Sequence, residues 1–251
     1  MPPAKSSPRS GPRSYWSAVR AARYSLTFAL PLLLAYEGLA FLLTGSQIAG
    51  VRNGADVLLK SLFTALGGRY GLTIFSAVLL GTGAVLIFRD RRKNGPIEPS
   101  YFLGMLGESV IYAVLLGTVA STLTSLLLGR LSIQGGAITQ FGFPTQIMIS
   151  LGAGIYEELV FRVLLVSGTA WLAKVVFGWG PRACTATGVL VGALIFSAFH
   201  YIGQYGDPFE LSSFLFRAIA GLLFSLLYVA RGFGIAAWSH ALYDVMLAII
   251  K

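Results

Sequence analysis

Seven stretches of this chain run for about twenty residues each on mostly apolar side chains: 24–43, 70–88, 108–128, 146–166, 183–202, 209–230 and 234–250. A helix needs about 20 such residues to cross the hydrocarbon core of a bilayer. Inside that core each backbone N–H and C=O must find its partner within the protein, so a lone apolar run of this length has to be a helix. Helix breakers fall in or beside the gaps: Gly45, Asn94-Gly95-Pro96, Pro144, Gly180-Pro181, Gly206-Asp207-Pro208 and Gly232. The predicted fold class is therefore all-α, a polytopic bundle of about seven transmembrane helices with any site enclosed between them. Composition leaves no soluble alternative: 55% of residues are hydrophobic and 12% charged, against about 25% charged in soluble domains.

Between the spans, residues 46–68 carry Asp56 and Lys60 among leucines and read as an amphipathic helix at the membrane interface. Residues 167–179 form either a second such helix or an extension of the fourth span. Residues 1–23 are expected to be a basic, disordered tail and juxtamembrane segment, because the Pro, Ser, Lys and Arg at their start cannot bury a core. Residues 24–251 make one transmembrane domain.

The net charge of +9 is explained by orientation. Basic residues favour the cytoplasmic side in short loops. With the N-terminus cytoplasmic, inner segments hold twelve of the nineteen (Lys5, Arg9, Arg13, Arg20, Arg23, Arg89, Arg91, Arg92, Lys93, Lys174, Arg182 and Arg231) and outer segments five. That bias sets an N-terminus inside the cell membrane and leaves nothing for a nucleic-acid partner. The one cysteine, Cys184, excludes an internal disulfide framework and a cysteine zinc cage.

Ionisable groups inside a bilayer cost about 2.5–3.5 kcal/mol each on insertion scales, so each asks for a reason. Both histidines of the chain, His200 and His240, fall in spans, as do Glu157, Glu158, Arg162 and Asp244. Glu158 and Arg162 are four apart and share a helix face, as do His240 and Asp244; Glu157 points about 100° away from Glu158. The pair Glu158–Arg162 reads first as a neutralised structural pair, and a single buried histidine as a hydrogen bond between helices. The coincidence on three helices is what points to chemistry. Gly188 and Gly192 make a small-residue face for helix packing. Glu37 and Arg217 receive no chemistry; they pair with each other or reach toward the headgroups.

Known peptide-cleaving arrangements narrow the choice. H-E-x-x-H needs two histidines four apart, and here they are forty apart. G-x-S-x-G finds only Gly107-Glu108-Ser109, with Ile111 in the last place. A catalytic aspartate pair lacks its second member. A carboxylate with an imidazole can activate water, and a second polar pair can stabilise an oxyanion.

Three motifs then resemble a family. Glu157-Glu158-Leu-Val-Phe-Arg162 matches E-E-x-x-x-R, Phe196-Ser-Ala-Phe-His200 matches F-x-x-x-H, and His240-Ala-Leu-Tyr-Asp244 matches H-x-x-x-N/D. In this order, on successive apolar segments, they resemble the CPBP family of CAAX prenyl endopeptidases and bacteriocin-processing or self-immunity proteins, over a protease-like core at 146–251. The resemblance implies an intramembrane endopeptidase acting on a membrane-associated, lipidated peptide or protein. Glu157 with His200 would activate water, His240 with Asp244 would hold the oxyanion, and Glu158 and Arg162 would support them. Strict prenyl proteases carry Asn where this chain has Asp244. The alternative is therefore a divalent metal such as zinc, held by Glu157, His200, His240 and Asp244, giving a metalloprotease in place of a glutamic one. Two other readings stand beside the enzyme: a non-catalytic immunity or scaffold protein, and a small-solute transporter. By depth, His200 lies near the outer end of its helix and Glu157 near mid-membrane, so the helix is expected to continue toward Tyr205.

Overall fold

A computed structural model describes residues 14–43, 51–129, 140–203 and 206–250. Among these the chain is helical, with no strand. The helices are α1 (Tyr15–Ala18), α2 (Ala22–Leu43), α3 (Gly54–Gly67), α4 (Gly71–Asn94), α5 (Ser100–Leu128), α6 (Phe143–Gly152), α7 (Ser167–Phe177), α8 (Pro181–Phe199), α9 (Leu211–Arg231) and α10 (Phe233–Ile250). Between α6 and α7 the segment Ala153–Val166 winds as a π-helix, the wider i→i+5 form. Seven helical runs are long and apolar enough to cross a membrane, α3 with α4 and α6 through α7 each counting as one. The chain is an integral membrane protein. Its many exposed Leu, Ile, Val and Phe side chains face outward, where lipid tails cover them.

One expectation is revised, one pair of alternatives is decided, and the segment before the first span is seen to take part in packing. Residues 14–23 are part of the fold: Ala18 and Val19 are buried, Arg23 pairs with Asp90 of α4, and Arg231 donates to the Trp16 carbonyl. The disorder expected of 1–23 otherwise falls on residues outside those described. Residues 167–177 extend the fourth span, which becomes 35 residues long. The revised expectation concerns α8, which ends at Phe199; His200 closes it, and its carbonyl accepts from the Asp207 N–H at 2.9 Å. No continuation toward Tyr205 is needed, because α7 and α8 form a hairpin around 178–180. Counted from that turn, Glu157 lies twenty residues before Phe177 and His200 nineteen after Pro181, so their depths agree.

Close backbone approach brings the motif-bearing helices together. A Cβ on Gly154 would meet the Ala237 carbonyl oxygen at 2.5 Å, so the π-segment lies directly against α10. Gly188 and Gly192 do the same for α8, whose hypothetical Cβ atoms would meet Val166 at 2.5 Å. This is the packing role their spacing predicts.

Candidate active site

The π-segment delivers two adjacent carboxylates to different partners. Glu158 is fully buried, and its Oε1 accepts from Nδ1 of His240 at 2.7 Å. The same oxygen faces Nη1 of Arg162 at 3.1 Å, with both side chains wholly inaccessible. The i,i+4 pairing predicted from spacing thus survives the π winding, and Glu158 also ties α10 to it. Arg162 makes this contact as an ion pair without well-aligned hydrogen bonds. Its guanidinium lies over Phe196 at 4.3 Å and Phe224 at 5.6 Å, which takes the place of water around the cation.

Glu157 faces elsewhere. Its Oε1 accepts from Nδ2 of Asn53 at 2.8 Å, and its Oε2 is buried with no hydrogen-bond partner among the described residues. Most buried polar atoms are satisfied, and each exception asks for a reason. The Glu157 carboxylate interacts electrostatically with both His200 and His240.

His200 is half-buried, and its Nδ1 lies 2.9 Å from the Phe196 carbonyl. A carbonyl only accepts, so Nδ1 carries the proton and Nε2 of the neutral ring keeps its lone pair. The Phe196 ring stands edge-on to His200 at 4.9 Å and to His240 at 6.0 Å. The two imidazoles therefore lie no farther apart than the sum of those distances. Phe224 stacks flat on His240 at 4.7 Å. On the other side of His240, Nε2 is 3.7 Å from Oδ2 of Asp244, beyond hydrogen-bond reach.

The structure links Glu157, Glu158, Arg162, His200, His240 and Asp244, with Phe196 against Arg162 and both imidazoles, and it adds residues that the motifs do not contain. Asn53 is 3% exposed at the N-cap of α3. Behind it, Tyr36 donates to Asp56, and Arg52 and Lys60 each bridge Asp56 and Glu37. Tyr156 donates to Glu37 at 2.8 Å. Glu37 therefore pairs with Arg52 and Lys60, and Arg217 with Asp207 on the α8–α9 connection; they do not pair with each other. The Arg217 charge reaches both His200 and Asp244. An Asn three residues before an acidic one is a readable helix start, yet nothing local announces its reach to a residue 104 positions away. Among the described residues, no three His, Cys, Asp or Glu side chains gather in a way that could hold a metal ion.

These features define a helical membrane protein with a buried glutamate–histidine cluster. Residues 139–246 match the family model described as Rce1-like, type II CAAX prenyl endopeptidase, so this part of the chain is similar to that family. The match spans all three motifs and supports the CPBP resemblance read from them. Comparison with curated proteins and with solved structures gives no match.

Proposed function

We propose that the chain is an intramembrane endopeptidase that cleaves a lipid-modified, membrane-associated peptide with a water activated by Glu157. The observation that carries this reading is that Glu157 has one oxygen tied to Asn53, the other without a hydrogen-bond partner among the described residues, and His200 within electrostatic reach, whereas Glu158 is committed to Arg162 and His240. Oε2 takes a proton from water, and the resulting hydroxide attacks the scissile carbonyl carbon. General-base catalysis of this kind contributes about 10²–10⁴-fold. The oxyanion that forms is met by Nε2–H of doubly protonated His240, whose ring is held at Nδ1 by Glu158 and flanked by Phe224. Charge stabilisation by such a donor contributes about 10²–10³-fold. When the C–N bond breaks, the proton on Glu157 passes to the departing amine, directly or through Nε2 of His200, and the carboxylate is restored.

The proposed route is metal-free: Glu158 orients His240 at Nδ1 and leaves Nε2 toward the reacting group. With the basic loops cytoplasmic, the N-terminus lies inside the cell membrane and the site lies deep in the bilayer. A lipid anchor on the substrate matches a site reached from the lipid phase.

The test compares a prenylated C-terminal peptide with its unprenylated form in proteoliposomes, with products read by mass spectrometry. Cleavage at one internal bond, strongly favouring the prenylated form, is expected. Equal cleavage of both forms removes lipid recognition from the account, and cleavage of neither favours a scaffold role.

A further inference from the structure

We infer that Asn53 is a positioning residue for Glu157, so that the N-terminal helices outside the family match complete the site. This rests on Glu157 being the general base.

The contact is specific in direction. The Asn53 side-chain oxygen accepts from the Ala55 backbone N–H at 2.9 Å, as an N-cap does. That duty fixes which end of the amide is oxygen, so the group facing Glu157 is the NH₂, a donor, at 2.8 Å from Oε1. The Asn53 backbone N–H donates in turn to the Tyr36 hydroxyl at 3.2 Å, and Tyr36 donates to the fully buried Asp56. Arg52 and Lys60 hold Asp56 from both sides, and Glu37 and Tyr156 close the cluster back onto the π-segment. Asn53 is thus gripped at its backbone, its carbonyl oxygen and its amide nitrogen. A carboxylate with one oxygen committed to such a donor has little rotational freedom, so Oε2 stays aimed at the reacting water. Residues 36, 37 and 52–60 all precede the matched span 139–246.

Capping and donating are separable by substitution. Serine caps a helix about as well as asparagine, but its short side chain cannot place an N–H on Glu157. With the full-length protein and a cleavable prenylated peptide, Asn53→Ser should keep the α3 cap and the wild-type KM while kcat falls about 10²-fold, the scale of a misplaced reacting group. Asn53→Ala, which also loses the cap, should lose stability as well. Infrared difference spectroscopy supplies a reading that needs no substrate: the Glu157 carboxylate band, assigned by its loss in Glu157→Gln, should move in Asn53→Ser. Wild-type kcat in Asn53→Ser, or an unmoved band, overturns the inference and leaves the hydrolase reading intact if Glu157→Gln is inactive. An active Glu157→Gln overturns the hydrolase reading instead.

Discussion

Glu158 and His240, 82 positions apart in sequence, meet at 2.7 Å through Oε1 and Nδ1, and the same carboxylate faces Arg162 at 3.1 Å. One oxygen therefore neutralises a fully buried cation and orients the imidazole proposed to hold the oxyanion. Spacing alone assigns Glu158 to Arg162; the structure adds the second duty, and that changes what its loss should do.

Glu158→Gln should impair both folding and turnover. Removing one partner of a buried ion pair costs about 3–5 kcal/mol, because Arg162 is left as an uncompensated charge. Thermal unfolding should shift down markedly, and the fraction that remains folded should show reduced kcat as His240 loses its orienting carboxylate. A Glu158→Gln protein with wild-type melting and turnover would show that the Glu158 contacts do neither job.

Gly154 sets the separation between the π-segment and α10. Gly154→Ala forces a methyl against the Ala237 carbonyl and the Ala241 side chain, at 2.5 and 2.6 Å before relaxation. Overpacking of this kind costs about 1–3 kcal/mol. It should also lengthen the Glu158–His240 contact, so stability and kcat should fall together. Gly168, with open space around it, provides the control: Gly168→Ala should change neither.

Asp244 and metal dependence are tested together. Its carboxylate stands 3.7 Å from Nε2 of His240 and adds negative charge where an oxyanion is proposed to form. Asp244→Asn should keep or raise kcat, and exhaustive chelation of the purified protein should leave turnover unchanged. Loss of activity in both experiments would restore the metal alternative, with Asp244 as a ligand.

The spans and the three motifs were legible because both depend on quantities that sequence carries directly. Apolar run length fixes what can cross a bilayer, and four-residue spacing fixes which side chains share a helix face, as Glu158 and Arg162 do. The π winding of Ala153–Val166 was not legible, since a small change in residues per turn leaves hydrophobic periodicity almost unaltered over fourteen residues. The partners of Glu37 are not legible because its contacts with Arg52 and Lys60 arise from tertiary packing that hydropathy does not encode. Asn53 escaped for a related reason. Its capping role is local and readable, whereas its grip on Glu157 exists only once α3 packs on the π-segment. The depth conflict between Glu157 and His200 came from ending the fourth span at residue 166, and the continuous run to Phe177 removes it.

The central claim is that Glu157 activates the attacking water, and one comparison tests it most directly. Wild-type and Glu157→Gln proteins, matched for folded yield in proteoliposomes, are given a prenylated peptide in isotopically labelled water, and the products are weighed by mass spectrometry. The account predicts one labelled oxygen in the new C-terminal carboxylate from the wild type and no cleavage above background from Glu157→Gln. Undiminished, label-incorporating cleavage by Glu157→Gln would contradict it.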